Sequence, residues 1–443
     1  MTMEGQADQP LSANLGIRIF QRAVDVKPDE VQALLWSCLY FFSILSAYYV
    51  IRPIRDEMGV AGGVQNLPWL FTGTLLGMIA LNPPFAALVA RLPRRRFVSI
   101  TYRFFMANLL IFYLLLQATT GSQNIWVGRG FYIWTAIFNL FVVSVFWGFM
   151  ADTFTTSQGK RLFGFIGAGG TIGGILGSAI TAALVERLGS AFLLFVSIFL
   201  LEVGVQSMKR LSNLSESFAD RQRETNTAAP IGGKILAGLT RLWQSPYLLA
   251  ICAYMLLFTI LSTFLYFAQA DIVGRTFTNR AARTALFAQI DLWVNILTLA
   301  TQLFLTGRIV KALGVAFTLT LVPLLTVLGF GMLGFVPALA VVVVFQVLRR
   351  AGNFAVARPT REILFTVISR EDKYKAKSFI DTFVYRLGDQ VGAWTSGLMR
   401  FMGLSLAGNA FIAVPISIVW LISGLWLGRK QEALAAKVAD THS

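Results

Sequence analysis

The chain has almost none of the side chains on which most catalytic and metal sites depend. Its 443 residues include one histidine, His442, and two cysteines, Cys38 and Cys252. A single histidine beside the C-terminus excludes a Ser–His triad, a histidine metal cluster and a histidine proton relay. Two cysteines inside apolar runs provide no disulfide framework and serve as small packing residues. The sequence therefore predicts neither a metal site nor a cofactor site.

Charge is also scarce, and negative charge most of all. Only 14% of the residues are charged, 38 Lys and Arg outnumber 22 Asp and Glu, and 56% of the chain is hydrophobic. A soluble domain contains about 45–50% apolar residues even when glycine is counted. The positive residues do not form one patch, so nucleic acid is not an expected partner. The composition instead predicts a membrane protein whose partner is the lipid bilayer.

Twelve apolar stretches separated by short loops fill the chain from Val31 to Trp426. A helix needs about 20 apolar residues to cross a bilayer, and in lipid only a helix satisfies its own backbone hydrogen bonds within one segment. The predicted fold class is therefore all-α, a polytopic membrane protein with twelve transmembrane helices. We place spans 1 to 12 at 31–51, 68–90, 97–118, 130–153, 163–185, 189–207, 246–270, 284–306, 315–334, 336–357, 379–399 and 405–427.

The positive residues alternate between the two sides of these spans. The loops after even-numbered spans contain 20 Lys and Arg, the loops after odd-numbered spans 8, the termini 6 and the spans themselves 4. Loops rich in Lys and Arg remain in the cytoplasm. We therefore expect an integral protein of a bacterial inner (plasma) membrane, with both termini cytoplasmic. A monomer is the expected oligomeric state.

The longest loop divides the spans into two sets of six. The predicted organisation is a cytoplasmic N-terminal segment 1–30, a first bundle 31–207, a cytoplasmic central loop 208–245 that ends in a surface helix, a second bundle 246–427 and a cytoplasmic tail 428–443. Residues 11–24 are predicted to form an interfacial helix. A shift of 218 positions superimposes span 1 on span 7, Gly170 on Gly388 and Gly174 on Gly392. Two six-helix repeats are the layout of the major facilitator superfamily, which binds substrate between the halves near mid-membrane.

Charges inside the spans need a reason, because one at mid-bilayer costs about 2.5–3.5 kcal/mol on insertion scales. Arg386 and Asp389 are three positions apart in span 11 and share a helix face. Two interpretations are open: a structural ion pair between helices, or a substrate or coupling site. The candidates for anion contacts are Arg52, Arg55, Arg349, Arg350 and Arg386. The candidates for coupling or gating are Asp56, Asp291 and Asp389, and those for aromatic walls are Tyr48, Tyr49, Trp147 and Trp293.

Six glycines in span 5 suggest a phosphate-binding loop at first sight. The dinucleotide pattern fails because its third glycine would fall at Ile172, and no GK[ST] follows. Within an apolar span, small residues four apart allow two helices to pack closely. We therefore predict that this run packs against another helix. It comprises Gly167, Gly169, Gly170, Gly173, Gly174 and Gly177.

Several motifs occur in an order that a known transporter family shares. They are IRPIRDEMGV from Ile51, FWGF from Phe146, GKRLFGFIGAGG from Gly159, SPY from Ser245, RPTRE from Arg358 and KAKSFIDTFVYRLGDQVG from Lys375. This series resembles the nucleotide (ATP/ADP) exchange transporters of plastids and intracellular bacteria. The resemblance implies the twelve-helix transporter fold and places Arg52, Arg55 and Asp56 at matching positions.

The charged residues that this family uses for nucleotide exchange are replaced. The resemblance aligns the family's helix-2 lysine with Phe71, its helix-4 glutamate with Thr135, its helix-7 glutamate with Tyr266 and its helix-11 lysine with Asp389. The last replacement reverses the charge. The resemblance therefore implies the scaffold more than the nucleotide, and a divergent member that transports another solute.

Three classes of function follow. The first is a secondary transporter, related to ATP/ADP antiporters, that moves a small anionic solute by alternating access. Its alternative is proton-coupled transport of a non-nucleotide solute, such as an organic anion or a drug-like or lipid-like compound. The second class is a non-transporting membrane sensor. The third, a membrane-embedded enzyme, is disfavoured because the sequence offers no usable histidine, no cysteine pair and no clearly spaced loop carboxylates.

Overall fold

A computed structural model describes residues 26–27, 30–222, 245–368, 376–377 and 379–442 of the chain. Every regular element in this part of the chain is helical. The predicted interfacial helix at 11–24 lies outside the described residues, as do residues 234–244 of the predicted surface helix.

The helices follow the predicted spans and are numbered accordingly. They are α1 Val31–Ala61, α2 Leu67–Arg91, α3 Arg94–Ala118, α4 Gly121–Thr153, α5 and α6 within Thr156–Gln222, α7 Pro246–Thr276, α8 Arg280–Phe304, α9 Thr306–Phe335, α10 Leu339–Gly352 with its continuation Arg358–Leu364, α11 Tyr385–Phe401 and α12 Leu406–His442. Gly189 has a φ of 77° and separates α5 (156–188) from α6 (190–222). Among the described residues, ten helical stretches are long and apolar enough to span a membrane, and one of them, Arg161–Leu214, contains both α5 and α6.

The structure extends several of the predicted spans, among them spans 1, 6 and 12. Span 1 was expected to end at residue 51, but α1 continues to Ala61 because Ile54 and Met58 are buried in the same core. Arg52 to Glu57 are therefore helical and do not form a loop. The predicted central loop begins with helix as far as Gln222, because Met208 and Leu211 are buried. The predicted tail from residue 428 continues α12.

Buried side chains form two large apolar clusters, one on each side of the central loop. The first extends from Val26 to Leu211 and gains only Ala285 from the later helices. The second extends from Tyr247 to Leu427. A smaller cluster joins the two sides and includes Val60, Leu67 and Tyr132 from the earlier helices with Phe267 and Phe287 from the later ones. The two halves therefore each have a core and meet along an apolar contact.

The glycine run of α5 packs against α1, so the packing prediction is confirmed. A β-carbon on Gly173 would collide with the carbonyl oxygen of Phe42, and one on Gly169 would lie 3.1 Å from the carbonyl oxygen of Cys38. The predicted repeat reappears in this packing. A β-carbon on Gly170 would meet Phe41 of α1, while one on Gly388 would meet Thr259 of α7. Since both pairs of positions differ by 218, α11 packs on α7 as α5 packs on α1.

Side chains of the two halves contact each other at the end of the bundle where α1 ends and α8 begins. There the Trp69 and Trp394 rings are 4.9 Å apart, and Thr72 Oγ1 donates a 3.0 Å hydrogen bond to Gln390 Oε1. We call this the closed end. The third apolar cluster, with Val60 and Phe287, lies at the same end.

Polar contacts at the opposite end tie helices together within each half. Glu30, just before α1, accepts hydrogen bonds from Arg161 (2.9 Å) and Gln158 (2.9 Å) of α5. Burial raises the pKa of Glu30, but the hydrogen bonds from Arg161 and Gln158 outweigh it and leave the pKa below its ordinary value. In the second half, Lys377 Nζ lies 2.6 Å from Glu362 Oε2.

The close α1–α5 contact predicts different outcomes for two glycines of the same helix. Gly173→Ala should destabilise the protein by about 1–3 kcal/mol, because the added methyl group overpacks the contact with Phe42. Gly167→Ala, where no neighbouring atom lies within 4 Å, should be neutral or stabilising. Thermal unfolding of both variants in detergent measures the difference. Equal midpoints would contradict close packing of α5 on α1.

Candidate functional site

A cavity of about 290 Å³ lies between the two halves, near the middle of the helices. The first half contributes α1, α2 and α4, and the second half contributes α7 and α11. The lining residues are Arg55, Phe71, Thr74, Leu75, Met78, Tyr132, Ala136, Asn139, Tyr266, Tyr385, Arg386, Asp389 and Gln390. We call it the central cavity. Ligand pockets are concave and contain polar groups that fix the orientation of the ligand. This cavity has both properties, and most of its lining side chains are polar.

The charges of the central cavity are held in pairs. Arg386 Nη1 donates to Asp389 Oδ2 at 3.3 Å. Arg55 donates to Asp56 Oδ1 through Nε at 3.0 Å and Nη2 at 2.5 Å. The Tyr266 hydroxyl also donates to Asp56 Oδ1, at 3.1 Å, and lies 3.1 Å from the Tyr132 hydroxyl. Because Asp56 is in the first half and Tyr266 in the second, this network crosses between the halves.

A second cavity, of about 400 Å³, lies within the second half between α7, α10 and α11. Tyr385 and Arg386 line both cavities, so the two share a wall. We call the second one the lower cavity. It is basic: its charged lining residues are Arg358, Arg361, Lys377, Arg386, Glu362 and Asp381. Aromatic rings of Phe258 and Phe365 complete the wall.

Two π-helical turns border the lower cavity. Asn353–Ala357 interrupts α10, and Ile380–Val384 precedes α11. Asn353, Phe354, Ile380 and Asp381, from these turns, all line the cavity. Such wide turns occur often at functional sites, because they re-aim the side chains that follow. Here they precede Arg358 and Arg361 on one helix and Arg386 on the other.

A buried carboxylate links the halves at a third place. Asp291 of α8 is 1% exposed, and its Oδ1 lies 3.4 Å from Arg52 Nη1 of α1 and 2.7 Å from Arg350 Nη1 of α10. The Arg52 guanidinium also lies 5.6 Å from the centre of the Tyr49 ring. Asp291 therefore shares one oxygen between an arginine of each half, and its Oδ2 has no hydrogen-bond partner among the described residues.

Glu57 closes the bundle above the central cavity. It is 1% exposed at the end of α1 and accepts two hydrogen bonds from Arg280 of α8, at 2.9 and 3.0 Å, and one from Arg283 at 3.0 Å. A bidentate arginine–carboxylate contact is among the strongest polar contacts in proteins. This cross-half contact was not predicted, because the sequence places both partners in loops.

The structure brings together only some of the predicted site residues. Arg55, Arg386 and Asp389 line the central cavity, with Asp56 directly behind it, while Arg52, Arg350 and Asp291 form the separate triad near Tyr48 and Tyr49. The remaining three, Arg349, Trp147 and Trp293, lie elsewhere.

Arg349 is buried in the core of the second half. It donates to Ser262 Oγ at 2.8 Å, the Phe258 carbonyl at 3.1 Å and Thr326 Oγ1 at 3.2 Å. Trp147 packs in the first half, 5.3 Å from the Phe41 ring. Trp293 is 55% exposed on the outside of the bundle. Because residues two apart on a helix point to different faces, a buried Asp291 turns Trp293 outward.

The structure adds cavity residues that the sequence did not suggest. Tyr132 and Asn139 of α4 carry no sequence signal, since nothing marks them among the other residues of an apolar span. Arg358 and Arg361 could have been found from the sequence, because both belong to the RPTRE motif that resembles the transporter family. The positions aligned with the family's charges are the most informative. Phe71, Tyr266 and Asp389 all line the central cavity, whereas Thr135 is buried in α4 and bonds the Phe131 carbonyl.

Apolar helices in two packed halves, with polar cavities between and beside them, define a membrane transporter. The family model of the Major Facilitator Superfamily matches residues 33–360. The chain belongs to that superfamily, and the predicted fold class is confirmed.

The relatives and solved structures agree with this assignment. The chain is 21% identical to ADP,ATP carrier protein 1 of Chlamydia muridarum (strain MoPn / Nigg), over 90% of this chain and 88% of that protein. Two solved structures share the fold at 13% identity. A bacterial homolog of the human lysosomal transporter Spinster, inward-facing and unoccupied, has a TM-score of 0.56 and covers 93% of this chain and 98% of its own. The nucleoside transporter NupG has a TM-score of 0.53 and covers 92% and 99%. The chain is thus a transporter of this fold related to the ADP,ATP carriers.

The Glu57 contact predicts that its loss opens the closed end. In a Cys38→Ser, Cys252→Ser background, Val64→Cys places a thiol in the buried contact between the halves. Adding Glu57→Gln should raise its rate of maleimide labelling in detergent by about tenfold or more, since a loss of 1.4 kcal/mol shifts an equilibrium tenfold. Glu186→Gln, an exposed carboxylate, is the matched control and should leave the rate unchanged. Equal rates in both would show that Glu57 does not hold this end closed.

The Asp291 triad predicts non-additive substitutions. Asp291→Asn leaves Arg52 and Arg350 without their carboxylate and should cost about 3–5 kcal/mol of stability. Adding Arg350→Gln should restore part of that loss, because it removes one unpaired charge. Asp152→Asn breaks the more exposed pair with Arg94 and should cost at most about 1 kcal/mol. If the losses of unfolding free energy in the two single variants simply add in the double variant, then Arg52 and Arg350 do not share the Asp291 carboxylate.

Proposed function

We propose that this chain is a secondary transporter that moves a small organic anion by alternating access, with the central cavity as its substrate site. The observation that carries the proposal is the position of this cavity between the two halves, next to a seal that consists of contacts from both. Rocking of the halves about the cavity would break the Glu57 contacts with Arg280 and Arg283 and open the closed end.

The charges favour an anion. Together the two cavities have five cationic lining residues, Arg55, Arg358, Arg361, Lys377 and Arg386, and three carboxylates, Glu362, Asp381 and Asp389. With Asp56, which pairs with Arg55 directly behind the central cavity, the balance is one positive charge in a space surrounded by apolar helices. A positive cavity with low-dielectric walls concentrates anions.

Membrane orientation follows from the distribution of Lys and Arg. The loops at the closed end are the ones poor in these residues, so we propose that the closed end faces away from the cytoplasm. The described conformation is then inward-facing, in a bacterial inner membrane, with both termini cytoplasmic. We propose that the protein works as a monomer, because both cavities are formed by one chain.

A solute less charged than a nucleotide fits the central cavity better. The relative is named an ADP,ATP carrier, but the positions aligned with the family's two lysines are here Phe71 and Asp389. Both line the cavity, and Asp389 is paired with Arg386. With these cations absent, a polyphosphate would find too little positive charge to replace its hydration.

Proton coupling is the second candidate mechanism, and Asp389 is its candidate residue. Arg386 holds Asp389 through one hydrogen bond of 3.3 Å. An anion that binds Arg386 would leave this carboxylate without its counterion in a mostly buried place. Such a carboxylate binds a proton more readily, so the anion and the proton would be bound together.

The test is transport by purified protein in proteoliposomes. Uptake of labelled ATP into ADP-loaded vesicles is measured beside uptake of labelled glucose 6-phosphate and malate, with and without an inward proton gradient. We expect uptake of one of the smaller anions, and a loss of about tenfold or more in Arg386→Ala, because a desolvated charge contact is removed. Arg308→Gln, an exposed arginine outside both cavities, is the control.

The outcomes separate the alternatives. A rate that rises with the proton gradient and loses that dependence in Asp389→Asn supports proton coupling, whereas a requirement for internal substrate supports exchange. Uptake of ATP at the wild-type rate of the smaller anions would contradict the proposed substrate class. Uptake of every anion at the level of empty vesicles, by folded protein, would contradict transport of such anions and favour a sensor.

A further inference from the structure

We propose that the lower cavity is a separate subsite for a dianionic head group, specifically a phosphate monoester, and that Arg358 and Arg361 bind it. This extends the proposed transport function and rests on it. It assigns the charged part of the substrate to the second half alone and leaves the central cavity to the less polar part.

The first step is that the positive charge of the lower cavity is not balanced. Its lining contains four cations, Arg358, Arg361, Lys377 and Arg386, against two carboxylates, Glu362 and Asp381. Lys377 is paired with Glu362 at 2.6 Å, and Arg386 is paired with Asp389 outside this lining. Two arginines and Asp381 remain.

The second step is that Arg358 and Arg361 have no carboxylate partner among the described residues. Arg361 Nη1 lies 3.1 Å from Met255 Sδ, a weak acceptor, and its guanidinium stands 5.1 Å from the Phe258 ring centre. Arg358 forms no ion pair with any described residue. The two are three positions apart on α10 and therefore share a face, where like charges repel. An anion between them would remove that repulsion.

A third arginine, which lies behind the cavity wall, makes the electrostatic potential in the lower cavity more positive. Arg349 is 2% exposed, and its hydrogen-bond partners among the described residues are neutral oxygens, two hydroxyl groups and one carbonyl. Its guanidinium lies 5.2 Å from the centre of the same Phe258 ring that Arg361 contacts. A buried charge without a counterion is costly. A dianion in the cavity in front of Phe258 would offset part of that cost.

The chemistry of these groups selects the ligand. A guanidinium group presents parallel N–H donors that match the oxygens of a phosphate, and two such groups suit a head group with three acceptor oxygens. The two arginines without a carboxylate partner suit a phosphate monoester, which is a dianion above its second pKa of about 6. With Asp381 counted, these lining residues retain one net positive charge, and the buried Arg349 behind the wall adds a second. Phe258, Phe365 and Tyr385 supply apolar surface for the carbon attached to it. The rest of the solute would extend toward the central cavity past Tyr385 and Arg386, which line both cavities.

Two isosteric probes test the charge requirement. Phenyl phosphate and phenyl sulfate have nearly the same shape, but at pH 7.5 the first is a dianion and the second a monoanion. Apparent affinities are obtained from the ligand-dependent rise of the unfolding midpoint of the purified full chain in detergent. We expect phenyl phosphate to bind about tenfold tighter or more than phenyl sulfate. Equal affinities would overturn the proposal.

Matched arginine variants locate the site. Arg358→Gln and Arg361→Gln should each weaken phenyl phosphate binding about tenfold and bring it close to that of phenyl sulfate. Arg361→Lys should recover only part of the loss, because lysine retains the charge but not the paired donors. Arg308→Gln, an exposed arginine outside the cavity, should bind as wild type does. Should Arg361→Gln fail to fold, the exposed Arg358 still tests the site. Wild-type affinity in Arg358→Gln would overturn it.

Two further measurements distinguish this proposal from its alternatives. Phosphatidate in mixed micelles offers the same head group on a lipid, and stabilisation by phosphatidate but not by phenyl phosphate would assign the site to lipid and overturn the proposal. In the transport assay, uptake of malate but not of glucose 6-phosphate would leave anion transport supported and the dianionic phosphate subsite refuted. If none of the anions is taken up by folded protein, the proposed transport function itself is refuted.

Discussion

Burial of charge in an apolar bundle is the constraint on which the other features of this protein depend. An arginine or carboxylate inside the membrane must find a partner there, because removing one member of a buried pair costs about 3–5 kcal/mol. Asp291 forms ion pairs with Arg52 and Arg350, and Glu57 forms ion pairs with Arg280 and Arg283. In both cases the partners come from different halves. The ion pairs that offset the cost of burying these charges therefore also hold the two halves together.

Helix α1 links these contacts because it remains helical for 31 residues. Arg52, Arg55 and Glu57 lie within two turns of it, and each serves a different contact: the triad, the central cavity and the closed end. The glycines of α5 allow this helix to pack closely behind α1. A shift of α1 relative to α8 would thus affect all three contacts at once. That is a physical basis for coupling solute binding to opening of the closed end.

Hydropathy and glycine spacing predicted most of the fold, because both are local properties of a helix in lipid. The central cavity was harder to predict, since it is formed by a small number of residues from each of five helices, and hydropathy does not specify how those helices are rotated. Asp291 and Trp293 illustrate this point. Both were predicted to face the cavity, although helical periodicity allows only one of two such neighbours to point inward. The lower cavity was missed because Arg358 and Arg361 were assigned to a loop, whereas a π-helical turn continues α10 as far as Leu364.

The replaced family charges and the lower cavity fit one account. Asp389, at a position where the resemblance implies a lysine, pairs with Arg386, and Phe71 stands where the resemblance implies the other lysine, so the central cavity retains little net charge. The positive excess lies instead in the second half, on Arg358 and Arg361. An anion that is bound by the second half moves with that half. Its charge then interacts only weakly with the first half. The halves can separate at the central cavity without breaking the strongest contact to the solute, which lowers the barrier to opening on either side.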